Sequence, residues 1–235
     1  MLNNAKISII MPVRNERELI ENSIHTLYKH MSMVERQFEI LMVDDSNDGT
    51  YELLVQLASI YSELIVIKGG ELPSYGYSLR RGINSSTGDI VIPFNADSSD
   101  SLDDLTKYID LIENGLDMVF GSRFLMDSSN KGSKGFKWYF SKLANRIVSR
   151  LLRIECNDLT NSFKAYRSSI IKNLNTQSLG FDIGMEMAVL TTRMGYNYTT
   201  IPLNHKTRHE GYSKMSLIKS IPSFARTLVR LGLIK

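Results

Sequence analysis

Cysteine is nearly missing from this chain of 235 residues, since Cys156 is the only one. A lone cysteine cannot form an internal disulfide, and the first residues lack the basic and then apolar layout of a secretory signal. No apolar run approaches the ~18 to 20 residues that a membrane-spanning helix requires. We therefore expect a cytoplasmic protein that makes at most a peripheral contact with a membrane.

A glycine-rich phosphate loop is missing as well. Neither a Walker pattern nor a dinucleotide fingerprint precedes any of the predicted helices. The sequence therefore excludes the P-loop and Rossmann ways of binding a phosphate, and any phosphate ligand must be held by another group.

Apolar residues, by contrast, make up 43% of the chain, which is enough to bury the core of one large domain. We predict a catalytic domain over residues 1–214 and a basic, amphipathic, helical appendage over residues 215–235. Residues 131–154 hold seven Lys or Arg and no acid, and residues 204–235 hold seven more against Glu210 alone. Such segregation favours a basic surface that meets phosphates or anionic lipid, although each stretch alone is equally typical of a solvated helix face.

Short apolar runs alternate with helical patterns through the first half of the chain. This alternation is typical of βαβ units, and it predicts an α/β fold with a mainly parallel central sheet flanked by helices. The predicted strands are Ile7–Met11, Phe38–Val43, Leu64–Ile67, Asp89–Phe94 and Asp117–Phe120. The predicted helices are Glu16–His30, Gly49–Tyr61, Tyr75–Asn84 and Ser101–Asn114.

Four polar segments directly follow predicted strands, at the edge where ligands of such sheets bind. They are residues 12–16, 44–50, 95–97 and 121–124, and three of them carry carboxylates or carboxamides. Clustered carboxylates repel one another unless a cation neutralises them, and their hard oxygens suit Mg²⁺ or Mn²⁺. The sequence therefore predicts a divalent cation that bridges a diphosphate. Asp44 can accept hydrogen bonds from a nucleoside, whereas Asp48 is better explained as a helix cap.

The order of these motifs resembles a known family. Residues 12–16 read Pro-Val-Arg-Asn-Glu, and residues 43–50 read Val-Asp-Asp-Ser-Asn-Asp-Gly-Thr. Together they resemble the nucleoside-binding motifs of the inverting family-two glycosyltransferases of the GT-A fold, especially the dolichol- and polyprenyl-phosphate sugar synthases. The resemblance covers nearly the whole chain and implies a GT-A nucleotide-diphospho-sugar transferase fold. The donor-nucleotide-binding residues that it implies are Pro12, Asn15, Glu16, Asp44, Asp45, Arg81, Asn95, Ala96 and Asp97.

Asn95-Ala96-Asp97 stands where the family has Asp-x-Asp, whose last acid coordinates the metal. The resemblance makes Asp97 the primary ligand of Mg²⁺ or Mn²⁺. Asn95 replaces the first acid and supplies an oxygen without a charge. Ser99 and Asp100 are near enough to offer a further ligand, directly or through water, and Ser99 is included in the predicted metal site. The alternative is a polar loop that caps the helix from Ser101.

Further motifs resemble the acceptor side of the family. Residues 121–124 are similar to Gly-Ser-Arg-Phe, which implies that Arg123 binds phosphate. Residues 158–163 resemble Asp-x-x-Ser-Gly-Phe, which makes Asp158 a possible base or acceptor-site residue. Asn161 and Ser162 replace Ser and Gly there, and the lost glycine raises a question about the backbone shape. Glu186 matches an acid that the family places near the acceptor, which makes it the second candidate base, after Asp158, for a hydroxyl acceptor, although a solvent-facing glutamate fits nearly as well.

The last motif, residues 208–214, resembles the Arg-x-x-Gly-x-Ser-Lys loop that closes over the diphosphate in the family. The resemblance implies that Arg208, Ser213 and Lys214 bind phosphate. Arg208 and Lys214 would also offset the charge of the leaving group.

Two stretches have a basic amphipathic pattern. From Ser216 onward, Lys219, Arg226 and Arg230 lie opposite an apolar face, and Pro222 is expected to start or kink the helix. Residues 136–154 behave likewise, with Phe140, Leu143, Ile147 and Leu151 opposite the basic side chains. Each helix is as compatible with packing on a core as with lying on lipid.

These observations predict a metal-dependent glycosyltransferase that moves a sugar, with inversion, from a nucleotide diphosphate to a polyprenyl or dolichyl phosphate. We expect it at the cytoplasmic face of a membrane, in peripheral contact with anionic lipid or a small membrane subunit, and not on nucleic acid. One alternative is a soluble transferase of the same fold that acts on a sugar or protein hydroxyl. Another is a non-catalytic subunit that binds sugar nucleotides, which the altered Asn95 and Asn161-Ser162 would suit.

Overall fold

A computed structural model of the chain describes residues 4–70, 73–97, 99–125, 136–204 and 217–233. Within these residues, seven strands form one sheet in the order β3-β2-β1-β4-β6-β5-β7. The strands are β1 (Ile7–Val13), β2 (Phe38–Asp44), β3 (Leu64–Lys68), β4 (Ile90–Pro93), β5 (Met118–Ser122), β6 (Lys164–Arg167) and β7 (Tyr198–Pro202). Neighbouring strands are parallel except where β6 pairs antiparallel with β4 and β5.

Eight helices connect or flank these strands in the described residues. They are α1 (Ile20–Met33), α2 (Thr50–Ala58), α3 (Tyr75–Ser85), α4 (Leu102–Glu113), α5 (Phe136–Leu152), α6 (Ser168–Ile171), α7 (Ile183–Arg193) and α8 (Leu217–Leu233). The five predicted strands and four predicted helices are confirmed, with ends that shift by a few residues. The mainly parallel α/β sheet is confirmed as well.

The alternation of side chains along β1 explains why both faces of the sheet are covered. Ile7, Ile9 and Met11 belong to one buried apolar cluster with residues of α1, α2 and α4. Ile10 belongs to a second cluster with residues of α3, α7 and α8. The central strands are therefore apolar on both sides, which is why they read as continuous apolar runs.

Two prolines lie inside regular elements, one in a strand and one in a helix. Pro12 lies in β1, but the pairing with β4 ends at Ile10, so the missing N–H of Pro12 leaves no gap in that ladder. Pro222 lies inside α8, five residues after its start, so of the two predicted roles the start of the helix is wrong and the kink stays a prediction. The predicted boundary between residues 214 and 215 falls outside the described residues and stays a prediction.

Candidate functional site

The loops after β1 and β2 are joined to each other by Asn15. Its backbone N–H donates to Ser46 Oγ at 2.7 Å, and its side-chain oxygen accepts from the N–H of Asn47 at 3.0 Å. Asn15 itself has a left-handed backbone with φ of 53°, a conformation that asparagine tolerates better than most residues. The motif residues Pro12 and Asn15 therefore border the end of β2, whereas the carbonyl of Glu16 accepts from the N–H groups of Leu19 and Ile20 where α1 begins.

The two acids at the end of β2 point into different surroundings. Asp44 is buried and accepts from Ser46 Oγ at 2.6 Å, and burial raises its pKa. Asp45 accepts from Ser78 Oγ of α3, while its Oδ1 is buried without a hydrogen-bond partner in the described part of the chain. A buried acceptor without a donor is costly, so this oxygen lowers the stability of the strand end in the described structure.

Gly69 allows this approach of β2 and the loop after β3. A Cβ built on Gly69 would lie 1.8 Å from Asp45 Oδ1 and 2.7 Å from the carbonyl oxygen of Asp44. The N–H of Gly69 also donates to that carbonyl at 2.7 Å. Glycine suits this position because the carbonyl of Asp44 is backbone and cannot easily move away from a Cβ.

A cavity of about 380 Å³ opens beside Asp44 at the ends of β2 and β3. Its walls include Ser46, Asn47, Tyr51 and Lys68, and the ammonium of Lys68 lies 5.7 Å from the centre of the Tyr51 ring. A flat aromatic ring next to a cation and a buried acid suits a nucleoside with attached phosphate. The motifs did not indicate Tyr51 and Lys68, because the first lies in helix α2 and the second within a strand.

The neighbouring residues have simpler roles. Asp48 accepts from the N–H of Thr50, the first residue of α2, at 3.1 Å and from its hydroxyl at 2.5 Å, so it stabilises the turn into α2, while Gly49 is the N-cap residue. Arg81 donates to the carbonyl of Gly69 at 3.4 Å, which brings its guanidinium to the loop after β3. The predicted nucleotide contact of Arg81 is therefore sterically reasonable, and it stays a prediction.

The loop after β4 carries the predicted metal ligands. Asp97 Oδ1 accepts from the N–H of Ser99 at 3.0 Å, and Asp100 Oδ2 accepts from the N–H of Asn95 at 2.9 Å. Ala96, Ser99 and Asp100 are buried, and burial raises the pKa of Asp100 to about 7. Ser101 caps α4 by accepting from the N–H of Asp104 at 3.3 Å, so capping is done by Ser101 rather than by the acids before it.

The described residues contain no group of three or more His, Cys, Asp or Glu side chains that could enclose a metal ion by themselves. Mg²⁺ in nucleotide sites is commonly held by one or two carboxylates together with phosphate oxygens and water. The carboxylate of Asp97 and the nearby oxygens of Asn95 and Ser99 fit that incomplete, all-oxygen set. The phosphate oxygens of a bound nucleotide, together with water, would thus complete the coordination of a divalent cation.

Arg123, at the end of β5, is held by Asp158. Its Nε and Nη2 donate to the two carboxylate oxygens at 2.8 and 2.7 Å, and its backbone N–H donates to Oδ2 at 2.9 Å. Asp158 is fully buried, whereas the Arg123 side chain is 31% exposed. Within the described residues, Asp158 and Thr160 take up Nε and Nη2 and no hydrogen bond is made by Nη1. A planar guanidinium suits phosphate oxygens, so Arg123 could bind a phosphate through its remaining N–H groups.

The loop of residues 158–163 reaches this edge because β6 is antiparallel. The start of β6 lies where the neighbouring parallel strands end, so the loop that enters β6 joins the loops that leave the others. Asn161 donates to the carbonyl of Gly121 at 3.2 Å, which attaches the loop to β5. Among the described residues, Ser162 is not one of the non-glycine positions with positive φ, so the replaced glycine is not required for the backbone shape.

Glu186, in the first turn of α7, is buried rather than solvent-facing. It accepts from the N–H groups of Gln177 and Ser178 and forms an ion pair of 2.7 Å with Arg230 of α8. The basic face that we predicted for α8 is therefore partly used inside the protein. The proposed role of Glu186 near the acceptor stays a prediction.

The predicted phosphate ligands Arg208, Ser213 and Lys214 lie outside the described residues. No helix in the described ranges is long and apolar enough to span a bilayer.

The sheet, the pocket beside Asp44 and the acidic loop after β4 together have the architecture of the GT-A class of glycosyltransferases. Residues 8–174 match the family described as Glycosyl transferase family 2, and this chain belongs to that family. The predicted family and fold are thereby confirmed.

Two relatives of the chain are named as lipid-phosphate sugar synthases. The chain is 28% identical over 234 residues to a dolichol-phosphate mannosyltransferase of Pyrococcus furiosus, covering 96% of this chain and 63% of that protein. It is 27% identical over 224 residues to a polyprenol monophosphomannose synthase of Mycolicibacterium smegmatis, covering 88% of this chain and 80% of the relative. The chain therefore spans less than two thirds of the archaeal relative.

A solved structure supports the fold. The crystal structure of glucosyl-3-phosphoglycerate synthase from Mycobacterium tuberculosis, in complex with Mn²⁺, uridine diphosphate and phosphoglyceric acid, matches with a TM-score of 0.71. The match covers 98% of this chain and 80% of that one at 17% identity, and it concerns the fold alone.

Proposed function

We propose that this protein is a glycosyltransferase that moves a sugar from a nucleotide diphosphate to a polyprenyl or dolichyl phosphate. The observation that carries the proposal is the pairing, at one sheet edge, of a nucleoside-sized pocket with an arginine fixed by a buried carboxylate. The names of the two relatives point to the same acceptor class.

The donor side would be formed by the loops after β1 to β4. The cavity beside Asp44 would take the nucleoside, with Tyr51 along the base and Lys68 near the phosphates. Asp97, with Asn95 and Ser99, would hold Mg²⁺ or Mn²⁺. When bound, such a cation offsets the charge of the diphosphate leaving group. Arg208, Ser213 and Lys214 remain proposed partners of the same diphosphate.

The acceptor phosphate would bind the exposed edge of Arg123. A phosphate monoester is already ionised at neutral pH, since its second pKa is near ~6, so it needs no general base to attack the anomeric carbon. The geometry of Asp158 agrees with a reaction that needs no base, because both of its oxygens accept hydrogen bonds from Arg123. We therefore assign Asp158 to orienting Arg123, and we propose in-line attack with inversion.

A transfer assay with matched acceptors tests this function. The protein is incubated with a panel of nucleotide sugars, with Mn²⁺ or with a chelator, and with either a short polyprenyl phosphate or the corresponding polyprenol. We expect a lipid-linked sugar by mass spectrometry with the phosphate only, and no product with the chelator. Transfer to the alcohol would favour a hydroxyl acceptor and a base role for Asp158, whereas tight nucleotide binding without any transfer would favour a binding subunit.

A membrane contact at the cytoplasmic face would bring the lipid phosphate to Arg123, and α5 is the better candidate for it. Exposed apolar side chains follow one another along α5, namely Tyr139, Phe140, Leu143, Ile147 and Leu151, each at least 50% accessible. Its inward face is mixed, because Leu152 joins the second core cluster while Asn145 bonds Thr160 and Ser149 bonds the carbonyl of Cys156. An apolar stripe that faces outward beside arginines is typical of interfacial helices.

α8 differs, because three of its apolar residues turn inward and only two described ones, Ile221 and Val229, are largely exposed. Phe224, Leu228 and Leu231 pack on the second core cluster. Vesicle flotation with paired variants tests the assignment. Leu143→Ser with Leu151→Ser is expected to weaken binding to anionic vesicles, whereas Ile221→Ser with Val229→Ser on α8, which are similarly exposed, is expected to leave it nearly unchanged. Equal losses of vesicle binding in both paired variants would show that α5 does not have this role. If the unmodified protein does not float with vesicles, a soluble transferase or attachment through a membrane subunit is favoured.

A further inference from the structure

Lys164, the first residue of β6, is a fully buried lysine that none of the preceding motifs includes. Its ammonium donates to the carbonyl oxygens of Leu159, at 3.1 Å, and Asn161, and lies 3.5 Å from that of Gly184 in α7. Within the described residues, it forms no salt bridge with a carboxylate. The three protons of the ammonium are therefore matched by three backbone acceptors.

A buried charge without a counter-ion is expensive, so packing alone does not account for this side chain. An apolar residue of similar length would fill the same space without that cost. What the ammonium adds is a fixed position for three carbonyl groups from two separate segments. Two of these carbonyls belong to the loop of residues 158–163.

The same loop also binds Arg123. The residues that bind Arg123 alternate along the chain with those whose carbonyls bind Lys164. Asp158 precedes Leu159 and forms the paired hydrogen bonds with Arg123. Thr160 lies between Leu159 and Asn161, and its hydroxyl accepts from Arg123 Nη2 at 3.4 Å. A shift of the loop backbone would therefore turn the guanidinium away from its direction in the folded protein.

We propose that Lys164 is a positioning residue that sets the direction of Arg123, and hence the affinity for the acceptor phosphate, by holding this loop through its backbone carbonyls. The inference rests on the proposed function for the ligand of Arg123. The part of the inference that concerns the loop, namely that Lys164 fixes its backbone, is independent of the proposed function.

The protonation of Lys164 adds a consequence. Burial lowers its pKa to about 8, and the titratable or charged groups around it are Cys156, Asp158 and Arg123. A neutral amine has two protons and one lone pair, so one of the three carbonyls would face a lone pair instead of a donor. The hold on the loop is therefore expected to weaken as the pH rises through about 8.

The first test compares Lys164→Met and Lys164→Arg with Lys172→Met. Lys172 also donates to a backbone carbonyl, but to that of Ser86, outside the loop of residues 158–163, so it controls for the loss of a lysine-to-carbonyl hydrogen bond elsewhere. We expect Lys164→Met to raise the KM for a short polyprenyl phosphate by roughly tenfold or more, with the KM for the nucleotide sugar nearly unchanged. Lys164→Arg should recover part of the loss, and Lys172→Met should have no such effect. Equal changes in both KM values, or no change in a folded Lys164→Met protein, would overturn the proposal.

Hydrogen–deuterium exchange at one fixed pH separates this inference from the proposed function, because it needs no turnover. Faster exchange in the peptide that covers residues 158–163 of Lys164→Met, with unchanged exchange in β1 and β2, is the expected result. If the loop loosens but no acceptor binds any form of the protein, the hold on the loop stands and the ligand assignment fails. If Lys164→Met does not fold, the affinity of the unmodified protein for farnesyl phosphate at pH 7 and pH 9 decides, and a constant affinity argues against the proposal.

Discussion

The acids of the donor side and those of the acceptor side are satisfied in different ways. Asp44, Asp45 and Asp100 accept hydrogen bonds from hydroxyl or amide groups. Asp158 and Glu186 are each paired with an arginine. An acid paired with arginine uses its charge to fix that arginine, whereas burial without such an ion pair raises the pKa of Asp44 and Asp100. A motif acid can therefore serve either a ligand or the protein, and an ion pair with arginine marks the second case.

Asp97 is the acid whose loss should reduce transfer most. Asp97→Asn removes the proposed anionic metal ligand, and we expect transfer to fall by about 100-fold or more, as for other groups that stabilise developing charge. The measurement is the initial rate against Mn²⁺ concentration. Asp48→Asn, which changes only the turn into α2 in a neighbouring loop, should have a small effect. Similar rates in the two variants would show that Asp97 has no special role, and the proposed difference between donor-side acids and arginine-paired acids would then fail.

Asp158→Asn should come next. An amide can accept from only one donor of the Arg123 fork with its oxygen, so Arg123 is freed to rotate and the KM for the lipid phosphate should rise by roughly tenfold.

A double-mutant cycle with Arg123→Lys gives the decisive control. The two changes should be strongly non-additive if Asp158 acts through Arg123. Additive losses, or a loss of kcat with a shifted pH profile, would assign Asp158 to proton transfer instead.

Glu186→Gln should change stability more than transfer. The change leaves Arg230 without its carboxylate partner between α7 and α8, and we expect the free energy of unfolding to fall by about 1–3 kcal/mol. Chemical denaturation with an assay below the unfolding transition separates the two effects. A large loss of kcat with unchanged stability would return Glu186 to the acceptor site.

Glu39 extends the set of paired acids to a place remote from the site and should have the smallest effect on transfer. It is buried beside Ser8, Thr87 and Lys6. Burial alone would raise its pKa, but hydrogen bonds from Ser8, Thr87 and Lys6 lower the pKa from 4.5 to about 2.

The unfolded chain therefore binds this proton more readily than the folded chain. The contribution of Glu39 to stability is present above pH 4.5 and is lost as the pH falls towards about 2. Glu39→Gln should flatten the dependence of stability on pH in that window while transfer at neutral pH stays nearly unchanged. An unaltered acid profile would show that Glu39 does not contribute in this way.

The sequence was most informative where strands are parallel and apolar on both sides. β1 to β5 could be predicted because each is a short apolar run between helical patterns and is followed by a polar loop. β6 could not, because it has four residues and begins and ends with a basic one, Lys164 and Arg167. Its antiparallel direction is equally invisible, although that direction brings Asp158 to the site.

The site followed the same division. Motif order was enough to nominate Asp44, Asp97 and Arg123, whose loops gather at one sheet edge. The pairings of Asp158 with Arg123 and of Glu186 with Arg230 join residues 35 and 44 positions apart, so no local pattern could indicate them. Periodicity alone also could not distinguish α5 from α8, since both have an apolar and a basic face and only tertiary packing decides which face is covered.

The contact at Gly69 limits how the nucleoside pocket can vary. A side chain there would overlap Asp45 and the backbone of Asp44, and Asp44 lines the pocket, so a substitution at position 69 would disturb the pocket from behind. Tyr51, Glu52 and Lys68 line the cavity itself. Redesign of the pocket for a different base would have to work through those three side chains around an unchanging glycine.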